Sequence, residues 1–194
     1  MSTLTALRKV RWQDEQVFCS GDEYATSLCS DIAQSKRSID MEVYITEKDP
    51  FSDRVLSSLE SAARRGVAVR LMVDGFGSDK WIRSGIGPSQ LAAAGVVLRV
   101  WHPCPWTILR SFRLDHMFNL IATFNRRNHR KVVIIDGVMA YVGSMNMDKC
   151  HSEELADLDG SRAWRDTVAR VIGSSHCFHL SAAFSHAFVR SWQV

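Results

Sequence analysis

No run of residues approaches the ~20 apolar positions that a bilayer-spanning helix requires. Any contact with a membrane is therefore expected from the side. The amino-terminal stretch MSTLTALRKVRWQDEQV is interrupted by charge and has no apolar core, so no secretory signal is visible there. The five cysteines (Cys19, Cys29, Cys104, Cys150 and Cys177) include no Cys-x-x-Cys pair. An odd, scattered set of this kind suggests reduced thiols in a cytoplasmic compartment. The HCFH at 176–179 lacks a second pair of ligands, so no metal site is expected, and nothing calls for a cofactor. Internal repeats, low-complexity tracts and a linker are also missing. With 194 residues, 46% apolar and 23% charged, the chain is expected to form one domain over 1–194.

The formal charge of +3 is too small to name a partner, but its distribution is uneven. Residues 102–131 hold six basic side chains (Arg110, Arg113, Arg126, Arg127, Arg130 and Lys131) against one acid, Asp115. That segment carries +5 and the remainder −2. A basic cluster is often a solvated face. This one runs directly into a His-x-Lys pair, which favours an anionic ligand.

Short apolar runs rich in β-branched residues alternate with longer helical patterns. Strands are expected at 17–19, 39–45, 67–73, 96–101, 132–135, 139–142 and 168–172, and helices at 22–35, 50–65, 88–94 and 174–192. The second helix is clearly punctuated. Asp49 stands at its N-cap, Pro50 in its first turn, Phe51, Val55, Leu59 and Ala62 on one face, and Gly66 past its end. Such alternation predicts an α/β fold with a mixed sheet covered on both faces. Segment 102–128 breaks the pattern. It is long for a loop, and it places Trp106, Phe112, Phe118 and Phe124 among arginines. These aromatics suit either packing on the sheet or a water–lipid boundary, with Trp106, Arg110, Phe112 and Arg113 as the expected membrane contacts.

The stretch NHRKVVIIDGVMAYVGSMNMD, 128–148, carries more polar chemistry than a buried strand needs. Asp136-Gly137 between two apolar runs predicts a hairpin with a two-residue turn. Pairing 135 with 138 would set Ser144 opposite His129, and parity would put Lys131 and Asn146 on the same face. Gly143 would let a ligand approach the backbone, while Asp136, at the turn, is expected to hold structure. Imidazole is a nucleophile and a proton carrier near neutral pH. Lysine supplies a fixed charge for phosphate oxygens, and serine and asparagine add neutral donors. A nucleophilic histidine also needs its far nitrogen held, and Asp166 in AWRDTVARVIG is the expected acid. Glu153, Glu154, Asp157 and Asp159 are read as solvated loop charges. The set points to phosphoryl transfer without a metal.

His129-x-Lys131, four residues, Asp136, six residues, Gly143-Ser144-x-Asn146 resembles the HKD motif of the phospholipase D superfamily at every fixed position. The flanking SIDMEVYI, AARRGVAVRLMVDGFGS, LAAAGVVLRV, FNRRNHRKVVIIDG and WRDTVARVIG look like the amino-terminal catalytic lobe of bacterial cardiolipin synthases. This similarity, from about Val17 to Trp192, implies an α/β/α sandwich with a mixed β-sheet, a single phospholipase D-like lobe. It implies a phosphohistidine mechanism with His129 as nucleophile or its acid–base partner. It also implies that Lys131 and Asn146, with Ser144, bind phosphate and that Asp166 orients the histidine. Enzymes of this kind carry two motifs, and this chain has one.

The resemblance leads to a phosphatidyltransferase or phospholipase acting on an anionic, phosphatidylglycerol-like phospholipid. The expected setting is cytoplasmic and peripheral, at the inner face of a membrane, as a homodimer or paired with a second HKD lobe. The alternatives are a homodimeric endonuclease, with nucleic acid as the partner, and a non-catalytic or truncated half-enzyme. A plain nucleic-acid reader is disfavoured because the charge is one local cluster rather than a stripe.

Overall fold

A computed structural model describes residues 12–104 and 127–193. Within them, β1 (Asp14–Phe18), α1 (Gly21–Gln34), β2 (Ser38–Val43), α2 (Pro50–Arg64), β3 (Ala68–Asp74), α3 (Asp79–Ser84), α4 (Ile86–Ala94) and β4 (Val97–Trp101) come first. After the undescribed segment follow β5 (Val132–Ile135), β6 (Met139–Gly143), a 3₁₀ turn (Lys149–His151), α5 (Glu153–Asp159), β7 (Val168–Ile172), α6 (Ser174–Arg190) and β8 (Trp192–Gln193). The strands form one sheet in the order β1-β7-β6-β5-β2-β3-β4-β8. Only the β2–β3 and β3–β4 pairs are parallel. The expected mixed sheet is the one found.

Alternation along the central strands builds two cores. Ile39, Met41 and Val43 of β2, Val69, Leu71 and Val73 of β3, and Val133 and Ile135 of β5 meet Leu28, Ile32, Val55 and Leu59 of α1 and α2. Met72 and Ile134 point the other way, to Phe184, Ala187 and Phe188 of α6. Helices on both faces make the α/β/α sandwich. The punctuation of α2 is as read: the Asp49 carboxylate accepts from Ser52 N at 2.8 Å, and Pro50 stands in the first turn.

Three expectations need correction. The terminal helix stops at Arg190, because the Ser191 hydroxyl bonds back to the Phe188 carbonyl (2.6 Å) and Trp192 pairs with Val100 as β8. Residues 153–159 are a short helix, not a loop, capped by the Ser152 hydroxyl accepting from Leu155 N at 3.1 Å. The Asp136-Gly137 turn has the mirror geometry such a pair favours (φ 54° and 69°), and Val138 N donates to the Ile135 carbonyl at 3.1 Å. The ladder, however, resumes with Ile135 opposite Met139. Val138 is an extra residue whose carbonyl accepts from Gly173 N at 2.8 Å, across the end of β7. This one-residue slip overturns the pairing of Ser144 with His129.

Candidate active site

The motif lies where β2 and β3 end and β5 begins, the edge at which open α/β sheets present ligand sites. Two acids at these strand ends organise the approach to β5. Asp74 is 1% exposed, and its carboxylate accepts from Phe76 N, Gly77 N and Asn128 N, with Arg127 Nη1 at 3.6 Å. Glu42 is 3% exposed and meets Asn128 Nδ2 and, at 2.8 Å, Arg130 Nε. Burial pushes the Glu42 carboxyl above its ordinary range, against the bonds from Asn128 and Arg130. Arg127 and Arg130 therefore bracket His129 by pairing with internal acids. These ion pairs fix both arginines beside the motif, with the Arg130 side chain still about half exposed.

His129 is exposed, with its ring stacked on Tyr44 at 3.9 Å between centroids. Lys131 Nζ donates to the His129 carbonyl at 2.8 Å and lies 5.3 Å from the centre of the same Tyr44 ring. Burial draws the Lys131 ammonium below its usual range, and the charge of Asp166 opposes this. Tyr44 has no place in the motif. The signal available for it was its position, one residue past a buried strand that carries two acids.

Past β6 the chain is tied to its neighbours. The observed register sets Lys131 against Gly143, whose N–H donates to the Lys131 carbonyl at 3.3 Å. A Cβ on Gly143 would lie 2.3 Å from the Thr167 carbonyl oxygen and 2.6 Å from Val168 Cα. The space at Gly143 thus belongs to the adjacent strand, not to a ligand. Ser144 is exposed and clamps the same place: its N–H donates to the Thr167 carbonyl (3.0 Å) and its hydroxyl oxygen accepts from Thr167 N (3.1 Å). Asn146 Oδ1 accepts from Ile45 N at 3.1 Å, which leaves its NH2 as the donating end of the amide.

The clamp at Thr167 places Asp166 beside His151, with Nδ1 to Oδ2 at 3.4 Å. No hydrogen bond or ion pair joins Asp166 to His129 among the described residues, while the His129 ring stacks on Tyr44 by its face. His151 is 1% exposed and its Nε2 accepts from Asn146 N at 3.1 Å. Sequence reading did not single out His151, because nothing in its spacing distinguishes it from a packed histidine. Asp136, at the far end of the hairpin, accepts from the N–H groups of Lys36, Arg37 and Ser38. Trp106, Arg110, Phe112 and Arg113 lie outside the described residues. No helix among the described residues is long and apolar enough to cross a membrane.

A mixed α/β/α lobe with a His-x-Lys and a Gly-Ser-x-Asn at the ends of its central strands defines a phospholipase D-like architecture. Residues 28–157 match the family described as "Cardiolipin synthase, PLD-like domain". The chain belongs to this family of the phospholipase D superfamily. It is 32% identical over 165 residues to cardiolipin synthase A of Edwardsiella ictaluri, covering 84% of this chain and 31% of the relative. A cardiolipin synthase A of Escherichia coli is 32% identical over 186 residues, 95% of this chain and 34% of the relative. The chain thus spans about a third of the length of the curated relatives it matches. Among solved structures, the phospholipase D family member Nuc of Salmonella typhimurium shares the fold. Its TM-score is 0.65 at 18% identity, covering 93% of this chain and 97% of that one.

Proposed function

We propose that this lobe transfers a phosphodiester through a phosphohistidine, acting on an anionic phospholipid as a phosphatidyltransferase or phospholipase of the cardiolipin synthase kind. The observation that carries the reading is the grouping of His129, Tyr44 and Lys131. An exposed imidazole is held by its ring, and a partly buried ammonium is fixed against its carbonyl. In this reading the free ring nitrogen of His129 bonds to phosphorus as the bond to the leaving alkoxide breaks. Lys131 and the NH2 of Asn146 hold the non-bridging oxygens. Asp166 keeps one oxygen on His151 and offers the other to the far nitrogen of His129.

The leaving alkoxide needs a proton from the opposite side of phosphorus, which the nucleophile cannot give. His151 cannot supply it either, being buried with Nε2 engaged by Asn146. A second imidazole, from another copy of the chain or a second lobe, would give that proton and then deprotonate the incoming water or alcohol. Peripheral contact with an anionic bilayer fits this substrate.

The test combines trapping with substrate choice. Quenching in alkali should leave acid-labile phosphate or phosphatidyl label on His129, and His129→Asn should abolish label and turnover together. Hydrolysis of single-stranded DNA with phosphatidylglycerol vesicles left untouched would hand the site to the nuclease reading.

A further inference from the structure

A buried imidazole needs partners for both nitrogens, and their identity fixes its tautomer. His151 closes the 3₁₀ turn just after the motif and is 1% exposed. Its Nε2 accepts a hydrogen bond from Asn146 N at 3.1 Å, so that nitrogen carries no proton. In the neutral ring the proton then sits on Nδ1. That atom is buried without a well-aligned hydrogen bond, yet it lies 3.4 Å from Asp166 Oδ2. The ring is enclosed as well. Trp164 meets it edge-on at 6.3 Å, and a Cβ on Gly21 at the start of α1 would lie 2.0 Å from the His151 carbonyl oxygen. The backbone at His151 is thereby set closely against the start of α1.

We propose that His151 is a positioning residue for the phosphate site. Its neutral Nδ1–H form joins the Asn146 main chain to the Asp166 carboxylate, and adding a proton uncouples them. The inference rests on the functional reading above for the meaning of Asn146 and Asp166, but not for the geometry. A proton on Nε2 would point at the Asn146 N–H, donor against donor, and the Asn146 backbone would have to move. The Asn146 amide bonded to Ile45 N would move with it. Protonation would also strengthen the pull on Asp166, whose Oδ2 lies 3.4 Å from Nδ1.

The charges around the ring set when this occurs. Burial favours the neutral imidazole most strongly, Asp166 and Asp148 favour the charged form, and Lys131 opposes it; together they hold His151 below its ordinary range. Asp22 of α1 is committed to the next turn, where its carboxylate accepts from the Ser152 hydroxyl and from Glu153 N and Glu154 N. Because the folded value lies below the ordinary 6.5, the neutral site is intact above that pH and is lost as pH falls through the folded value.

Two measurements test the proposal, and one of them needs no turnover. In protein with 15N-labelled histidine, His151 should show an unprotonated Nε2 at pH 7. The Asn146 amide resonance should then shift with the His151 titration on acidification. A protonated Nε2 at pH 7, or an Asn146 amide indifferent to that titration, would overturn the inference. It would do so even if the protein turned over no phosphodiester, the result that would sink the functional reading instead.

For activity, bis(p-nitrophenyl) phosphate serves as the probe. His151→Gln can place a carbonyl oxygen near Nε2 but cannot titrate. It should keep kcat within about fivefold while the acid limb of the pH profile flattens. His151→Leu offers no acceptor and should lower kcat by up to about a hundredfold with KM little changed, as expected for a small misplacement of the reacting groups. Wild-type kcat and an unchanged acid limb in both variants would count against the role. If His151→Leu does not fold, the pH profile of His151→Gln decides.

Discussion

The ring of Tyr44 lies over the imidazole of His129, with centroids 3.9 Å apart and planes inclined by 29°. Lys131 Nζ stands 5.3 Å from the centre of that same ring. One aromatic residue just past β2 therefore touches both basic members of the His-x-Lys. A stacked pair contributes about 0.5–1.5 kcal/mol, which corresponds to roughly a twofold to tenfold effect on the fraction of well-placed imidazole. Tyr44→Phe keeps the ring and should leave the rate of His129 phosphorylation within about twofold. Tyr44→Leu should slow it up to about tenfold, read in single-turnover quench experiments. Equal losses in both variants would point to the hydroxyl and count against the stack.

Gly143 tests which body fills the space beside the motif. An added methyl would meet the Thr167 carbonyl oxygen at 2.3 Å and Val168 Cα at 2.6 Å, both of them backbone atoms that cannot rotate aside. Gly143→Ala should therefore destabilise the protein by about 1–3 kcal/mol through separation of β6 from β7. Urea denaturation measures it. A variant of unchanged stability with weakened binding of inorganic phosphate would restore the idea that the gap serves a ligand.

How much of this was legible beforehand follows from what each residue interacts with. The apolar strands and the capped α2 could be read because alternation and punctuation are local properties. The polar DEQV of β1, exposed at the sheet edge apart from Phe18, gave a shorter strand than the one that forms. The motif residues were legible as a set, but their mutual placement was not. A single extra residue at Val138, set by the bond from Gly173 in a distant segment, shifts every cross-strand neighbour. The Glu42–Arg130 and Asp74–Arg127 pairs join positions far apart in the chain, so the partners of these two arginines could not be read locally. His151 gave no signal because its role depends on Asn146 and Asp166 converging upon it.

The Glu42–Arg130 pair carries a pH prediction. Burial raises the folded pKa of Glu42 above the ordinary 4.5. The folded protein thus takes up a proton that the unfolded chain has already released. This favours folding below 4.5, and the advantage fades as pH rises through the folded value. Gln at this position does not titrate and can still accept from Asn128 and Arg130. The stability of Glu42→Gln relative to wild type should therefore rise with pH across that window and level off above it. Paired urea titrations at several pH values check the slope, and a falling slope would mean that Arg130 outweighs burial.

Asp136 gives the last prediction, because it belongs to the motif by sequence and to the scaffold by position. It sits at the turn end of the hairpin, and β5 runs from Lys131 at the site to this turn. At about 3.3 Å per strand residue, some 16 Å separates the two. Its carboxylate collects the N–H groups of Lys36 (3.0 Å), Arg37 (2.7 Å) and Ser38 (3.0 Å), and its carbonyl accepts from Arg37 Nη2 at 2.6 Å. Burial acts to raise its pKa, but the three N–H bonds and the Arg37 charge together hold it below the ordinary 3.8. A depressed carboxyl contributes stability above its unfolded value and loses it as pH falls through the folded one, so the contribution is complete at neutral pH. Asp136→Asn turns an NH2 toward backbone donors and should cost about 1–3 kcal/mol at pH 7. The gap to wild type should narrow below pH 3.8. The rate of His129 phosphorylation per folded molecule should meanwhile stay within about twofold, because nothing at the turn touches the reacting groups. Thermal or urea unfolding gives the first quantity and active-site titration the second. A variant of wild-type stability whose folded molecules fail to phosphorylate would move Asp136 from the scaffold into the chemistry.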